Sequence, residues 1–385
     1  MPSVSMPDEV PGTVRNTATV ERAGQGAEAL HRDMPFTRLV DCGMDHADAR
    51  ELLDRTLHGQ PWHVVARELG ERQAHRRDQA TARGFRATAL DAARYAIAAF
   101  TFAQMAHDRD TAHKTDDYER LDAAIAELVA LRPAEIREFT TPYKHGELNG
   151  WLLTPRHAEP VATVIVWGGL SGWGMAYLPV AEALVDRGLA CLLVEGPGQG
   201  RSRLKHRLYG SRESIGGFGT FVDVATEALG LPGRIGILGN SFGGLIAAHV
   251  TARDKRVAAC VINCGPAVIS VPSGPSAREQ LGAFLGTDDI NRMDQELTQL
   301  QFPPEPGEET AQIRVPCLVL NGGQDPLAPS IAQEPFLAQA THPASRLQTW
   351  PDGQHNLYNH AAERNALVGD WFLTHLTTPT ASTHR

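Results

Sequence analysis

The sequence predicts an α/β protein, a mostly parallel, doubly wound sheet preceded by a domain of helices. Three observations carry that prediction. Short continuous apolar runs recur from about residue 134 onward, and a run without polar alternation is a strand covered on both faces. Helical stretches separate these runs, which gives the alternation of a doubly wound core. Before residue 134 the apolar residues fall at helical spacing instead.

In chain order, residues 1–33 carry Pro2, Pro7, Asp8, Glu9 and Pro11, with no apolar segment of the kind a signal peptide needs. A disordered leader is expected there. A helical domain is expected over 34–133. Asp45–Leu57 presents Leu52, Leu53 and Leu57, and Pro61 opens a second helix, Trp62–Leu69. Thr88–Ala106 is apolar almost all round, the mark of a buried helix. Asp117–Leu131 aligns Leu121, Ile125, Leu128 and Leu131 and stops before Pro133.

The sheet domain is expected over 134–378, with a tail at 379–385. Ile136–Tyr143 and Glu147–Leu153 flank Lys144-His145-Gly146 and read as a hairpin. Strands are expected at Val161–Trp167, Leu189–Val194, Arg234–Leu238, Val257–Ile262, Val315–Leu320 and Arg346–Trp350. Helices fall at Tyr177–Arg187, Ser214–Leu229, Phe242–Arg253 and Ala361–Leu376. The stretch 271–312 is too long for a plain connection. Pro272, Pro275, Pro303, Pro304 and Pro306 punctuate it, and it reads as a small insertion over the C-terminal edge of the sheet.

A net charge of −9 argues against a nucleic-acid or anionic-membrane binder. The most apolar helix, Tyr95–Ala106, is too short to span a bilayer. Five cysteines without a CxxC pair, three of them (Cys191, Cys260, Cys317) in strand-like runs, indicate buried thiols in a cytoplasmic protein. No His/Asp/Glu/Cys cluster has ligand spacing, so no metal and no cofactor is expected.

The strongest local signal is Gly239-Asn240-Ser241-Phe242-Gly243, a G-x-S-x-G between an expected strand and an expected helix. So sharp a turn presents the Ser241 hydroxyl at a helix N-terminus and leaves no room for side chains two residues to either side. A serine hydroxyl needs a base, and the base needs an orienting acid. Asp325 follows the strand Val315–Leu320 and His355 follows Arg346–Trp350, giving the order Ser, Asp, His at successive strand ends. Asp352 and His360 are the competing acid and histidine; a Pro-Asp-Gly turn accounts for the former. For the oxyanion hole one donor is the Phe242 N–H, directly after the nucleophile. The second is expected from Gly168-Gly169-Leu170, with the Leu170 N–H favoured and Gly169 next.

These motifs resemble the α/β-hydrolase superfamily. Gly168-Gly169-Leu170, Glu195-Gly196-Pro197-Gly198-Gln199-Gly200 and the helical region before the first strand narrow the resemblance. They are similar to the branch that includes 2,6-dihydroxypseudooxynicotine hydrolase, the fungal polyketide-shortening hydrolases and FrsA-like proteins. The resemblance covers roughly residues 40–378. It implies a helical lid roofing the pocket, a homodimer, and cleavage of a C–C bond beside a ketone in an aromatic or polyketide-like molecule. Two positions depart from the branch: Ser171 stands where the nicotine-pathway enzyme has glutamate, and Glu195 where the branch has aspartate.

Substrate contacts are expected from Ser171, Trp173, Met175 and Tyr177 after the oxyanion loop, and from Phe100, Phe102 and Met105 in the helical roof. Core packing is the competing explanation for the apolar ones. The basic run Arg201–Arg207 is expected to be a solvated loop, with steering of an anionic substrate as the alternative. The leading expectation is therefore a hydrolase acting on a small-molecule carbonyl compound through an acyl-Ser241. An ester hydrolase, or an acyl transferase or cyclase, would use the same triad. A non-catalytic binding protein would gain nothing from keeping Ser241, Asp325 and His355 together, whereas a regulatory, protein-interacting member is compatible with the triad.

Overall fold

The computed structural model describes residues 28–304 and 312–377. Most of the expected leader and the tail lie outside them, but residues 28–33 already form a helix, α1, before the expected domain start at 34. The helical domain continues with α2 (Phe36–Asp41), α3 (His46–Leu57), α4 (Trp62–Ala82), α5 (Arg86–Met105) and α6 (Ala112–Leu131). Asp45 is not the first residue of α3 but its N-cap, accepting from the Ala47 and Asp48 amides. α4 runs well past Leu69. Its later buried residues are Gly70, Gln73, Arg77 and Ala80, at helical spacing but without large apolar side chains, so hydrophobic periodicity does not reveal them. Gly70 is where α5 crosses: a Cβ there would lie 2.7 Å from the Phe100 ring.

The antiparallel hairpin β1 (Ile136–Tyr143) and β2 (Gly146–Leu153) opens an eight-stranded sheet. It continues with β3 (Thr163–Trp167), β4 (Ala190–Glu195), β5 (Ile235–Asn240), β6 (Val257–Asn263), β7 (Cys317–Gly322) and β8 (Arg346–Trp350). The strand order is β1-β2-β4-β3-β5-β6-β7-β8; β2 pairs antiparallel with β1 and β4, and β4 to β8 are parallel. Alternate residues face opposite layers. Val164 and Val166 join a core with α7 (Leu178–Val185) and α14 (Ala361–Thr377), to which α5 and α6 also contribute. Ile165 and Trp167 join α10 (Phe242–Arg253) and the insertion helices α11 (Pro275–Leu285) and α12 (Ile290–Leu300) on the other face. Within the helical domain, Leu39, Leu52, Trp62 and Phe102 belong to a separate core.

Four strands outlast their apolar runs. β4 ends on Glu195, β5 on Asn240, β6 on Asn263, and β7 reaches past Asn321. All four polar residues are buried.

Two further features of the chain differ from the sequence reading. The helix expected at Ser214–Leu229 is α9 (Ser214–Asp223) followed by a π-helical turn, Val224–Ala228. The basic run Arg201–Arg207 is not simply a solvated loop, because it docks the helical domain. Arg201 in α8 (Gly200–Leu204) pairs with Asp122 and Glu138 at 2.5 Å each, and Arg203 is buried 3.0 Å from Asp110. All five cysteines are free, four of them buried. No helix among the described residues is long and apolar enough to cross a membrane.

Candidate active site

The site grows from the C-terminal edge of the sheet. β5 turns into α10 at Ser241, whose backbone sits at φ 54°, ψ −128°. This is a strained region for a non-glycine residue, worth about 1–3 kcal/mol, and it is tolerated only where the surroundings hold it. The flanking glycines are required sterically. A Cβ on Gly239 would approach the Gly243 carbonyl oxygen to 2.2 Å, and one on Gly243 would meet the Gly168 carbonyl oxygen at 2.3 Å. The Ser241 amide donates to the Asn263 carbonyl (2.8 Å), fixing the turn to the next strand.

The structure brings Ser241, His355 and Asp325 together. His355 Nε2 lies 2.9 Å from Ser241 Oγ, and His355 Nδ1 lies 2.8 Å from Asp325 Oδ2. The Asp325 side chain is fully buried. Burial alone would raise its carboxyl pKa. The hydrogen bond and charge of His355, together with the Leu327 and Ala328 amides on Oδ1 (2.8 and 3.1 Å), win and hold it below the usual range. Ser330 Oγ donates to Asn321 Oδ1 (2.8 Å) and Asn321 Nδ2 donates to the Ala328 carbonyl (3.2 Å), which pins the acid's loop to β7. The competing pair sits elsewhere: Asp352 bonds His360 Nε2 at 2.9 Å on the surface.

After His355 the chain takes two left-handed residues, Asn356 (φ 54°) and Leu357 (φ 58°), neither of them glycine. The Asn356 carbonyl is gripped by Arg364 Nη1 (2.7 Å) and Asn263 Nδ2 (3.3 Å). Arg364 also makes a bidentate pair with Asp41 of α2 (2.7 and 2.9 Å). The same short helix sends Thr37 Oγ1 to Gln354 Oε1 (2.6 Å) and Arg38 Nη2 to Ser171 Oγ (3.0 Å). Sequence reasoning missed Thr37, Arg38, Asp41 and Arg364, because nothing local links them to residues more than a hundred positions away.

The expected substrate contacts divide. Ser171 and Trp173 belong to the loop after β3, where Ser171 meets Arg38 and the Trp173 indole lies beneath Arg203 (4.6 Å) and Lys114 (4.9 Å). Met175 lines a cavity of about 180 Å³ with Tyr95 and Ile97, and Tyr177 faces Arg38 and Tyr358 in another. Phe100, Phe102 and Met105 do not form a roof of exposed side chains. Phe100 packs on Gly70, while Phe102 and Met105 lie in the helical core with Trp62. A helix apolar all round is buried on every side, and here the main neighbours are α4 and α6. Lys114 explains its own burial: its ammonium donates to the Gln104 and His107 carbonyls (3.1 and 2.7 Å) and to Gln104 Oε1 (2.9 Å), neutralising the C-terminal end of α5.

Glu195 joins the two domains. It accepts from Tyr118 Oη of α6 (2.5 Å), the Arg201 amide (3.0 Å) and Asn149 Nδ2 (3.1 Å). Burial pushes its carboxyl above the usual range despite these bonds. No group of His, Cys, Asp and Glu among the described residues is arranged to hold a metal ion.

Sheet order, nucleophile turn and strand-end acid and histidine together define an α/β-hydrolase fold. A family model described as serine aminopeptidase, S33, matches residues 158–287. The chain is 25% identical to the 2,6-dihydropseudooxynicotine hydrolase of Paenarthrobacter nicotinovorans over 221 residues, 56% of this chain and 58% of that protein. It is 29% identical over 215 residues to the alpha/beta hydrolase gkaG of Penicillium citrinum, 52% of this chain and 50% of that protein. These matches span little more than half the length of the relatives. The crystal structure of the 2,6-dihydroxy-pseudo-oxynicotine hydrolase superposes with a TM-score of 0.76 at 20% identity, covering 88% of this chain and 95% of that one. The chain is thus an α/β-hydrolase-fold protein similar to that hydrolase, helical N-terminal region included.

Proposed function

We propose that this protein is a serine hydrolase that cleaves a C–C bond beside a ketone in an aromatic or polyketide-like small molecule. The observation that carries the proposal is the continuous hydrogen-bonded relay from Ser241 Oγ through His355 to buried Asp325. Ser241 Oγ attacks the ketone carbon while His355 Nε2 takes its proton, and the carbonyl oxygen becomes an oxyanion facing the Phe242 and Leu170 N–H groups. Collapse re-forms the C=O and breaks the C–C bond. The departing carbon, stabilised as an enolate by a second carbonyl, takes the proton from His355. Water deprotonated by His355 then attacks the acyl-serine and releases a carboxylic acid, restoring Ser241. The similarity to 2,6-dihydropseudooxynicotine hydrolase favours the C–C over the ester reading.

In this reading the helices of 34–133 form a lid on the strand ends. That is supported by their docking on Glu195 and Arg201, at the same sheet edge that carries Ser241. A homodimer is part of the proposal, checked by light scattering after size exclusion.

The test is intact mass after treatment with a small fluorophosphonate, followed by turnover of β-diketones against aryl esters. One adduct on wild type and none on Ser241→Ala is expected, with β-diketones turned over faster. Absence of an adduct on wild type overturns the serine mechanism; preference for esters overturns only the C–C assignment.

A further inference from the structure

Four successive carbonyls at the end of β3 each accept a hydrogen bond from a side chain. Asn240 Nδ2 donates to Trp167 O (3.1 Å). Gln199 Nε2 donates to both Gly168 O (2.8 Å) and Gly169 O (3.0 Å). Trp173 Nε1 donates to Leu170 O (3.1 Å). Gln199 is fully buried, and its Oε1 accepts from the Gly196 amide (3.3 Å), so both amide hydrogens and the oxygen are engaged.

Peptide geometry turns these bonds into a statement about the N–H groups. In a trans peptide the C=O and the following N–H point in opposite directions. The Gly169 carbonyl and the Leu170 N–H belong to one such unit. With the carbonyl held by Gln199, that N–H is aimed away from Gln199; the Gly168 carbonyl fixes the Gly169 N–H in the same way. The loop also abuts the nucleophile. A Cβ on Gly169 would lie 3.1 Å from Ser241 Cβ and 3.2 Å from the Phe242 nitrogen, the other expected oxyanion donor.

We propose that Gln199 and Trp173 are positioning residues of the oxyanion hole: Gln199 grips the Gly168 and Gly169 carbonyls so that the Leu170 N–H faces the carbonyl oxygen of a substrate on Ser241, and Trp173 holds the peptide that follows Leu170 in place. This rests on the serine-hydrolase reading above. It gives the Glu195–Gly200 loop a chemical task beyond turn formation, and it makes Trp173 a loop clamp rather than a substrate contact. A donor set fixed before the reaction costs no reorganisation when charge develops, which is why its loss is felt in the transition state more than in binding.

The test uses the full chain with Gln199→Leu, which removes the donor at similar volume, and Trp173→Phe, which removes the indole N–H. Two readouts are taken: p-nitrophenyl acetate hydrolysis, and the pH titration of the ¹³C signal of the hemiketal formed with a carbonyl-labelled aryl trifluoromethyl ketone. For Gln199→Leu, kcat is expected to fall about 10- to 100-fold, with KM within about twofold of wild type. The hemiketal should become a correspondingly weaker acid, ionising only at higher pH. Trp173→Phe should change both readouts in the same direction by a smaller factor. A folded Gln199→Leu with wild-type kcat overturns the proposal. So does a loss of kcat with an unmoved hemiketal titration, which marks a merely structural role. If Gln199→Leu does not fold, Trp173→Phe decides alone on the same readouts. A wild type that forms neither hemiketal nor acyl-enzyme overturns the serine reading and this proposal with it. A wild-type hemiketal whose titration is the same in both variants overturns this proposal only.

Discussion

Asp325→Asn is the change whose consequence follows most directly from the geometry. Asp325 Oδ1 accepts two backbone N–H bonds, from Leu327 and Ala328, and Oδ2 faces His355 Nδ1. An asparagine must keep its oxygen on the two amides, because its NH₂ has nothing to donate to there. The NH₂ is therefore turned toward Nδ1, and Nδ1 must accept. That fixes the imidazole proton on Nε2, which then donates to Ser241 Oγ instead of taking its proton. Restoring the useful tautomer means breaking bonds at a fully buried position, and the imidazolium formed during reaction has also lost its counter-charge. Together these correspond to about 4–5 kcal/mol, a fall in kcat of about 10³- to 10⁴-fold with KM little changed. Steady-state hydrolysis of an aryl ester and the rate of fluorophosphonate labelling both report it. Asp352→Asn is the control: its carboxylate is exposed beside His360, where an ion pair is worth about 0–1 kcal/mol, so activity should stay within about threefold. Asp325→Asn retaining more than a tenth of wild-type activity, or Asp352→Asn falling as far, would refute the assignment of the acid.

Arg364→Met should destabilise the fold by about 3–5 kcal/mol in urea titration, since it leaves the Asp41 carboxylate buried without its bidentate partner. Adding Asp41→Leu should recover much of that loss, and a single variant within 1 kcal/mol of wild type would contradict the reading. His249 is buried beneath α12, with Nε2–H donating to the Leu300 carbonyl (2.8 Å), and burial lowers its pKa from 6.5 to about 4. A depressed histidine stays neutral in the folded protein while the unfolded chain takes up a proton. Its contribution is therefore complete above pH 6.5 and lost as pH falls toward 4, about 3 kcal/mol in all. Urea midpoints between pH 7 and 4.5 should fall more steeply for wild type than for His249→Gln, and parallel curves would show that His249 does not titrate in this way.

The fold class and the grouping of Ser241, Asp325 and His355 were legible because each depends on local chemistry. The glycines around Ser241 announce a turn that excludes side chains, and continuous apolar runs announce strands covered on both faces. Legibility ended where buried positions are polar. Glu195, Asn240, Asn263 and Asn321 lie at the ends of strands that an apolar run marks as already finished, yet the sheet carries on to or past them. Gln73 and Arg77 hide the second half of α4 for the same reason. The basic run was misread because a cluster of arginines in sequence says nothing of the acids that meet it. Asp110, Asp122 and Glu138 come from the helical domain and the edge hairpin. Phe102 and Met105 of α5 were read in two ways, and both pack with Trp62 in the helical core.

The buried polar residues that escaped the sequence reading share a role. Asn240 links the Trp167 carbonyl to Asn263, and Asn263 reaches the Asn356 carbonyl, so one chain of side-chain amides ties the end of β3, the Ser241 turn and the His355 loop together. Arg364 extends that chain to Asp41, while Thr37 and Arg38 touch Gln354 and Ser171, which neighbour His355 and Leu170. The six residues of α2 thus hold both loops that must stay in register with Ser241. Left-handed backbone at Asn356 and Leu357 is disfavoured in isolation, and a loop in that state keeps its geometry only while its carbonyls are held from outside. The N-terminal helices are therefore part of the frame that sets the distance from His355 to Ser241. A change in how α2 docks should be felt first in the alignment of the base, before any effect on how a substrate enters.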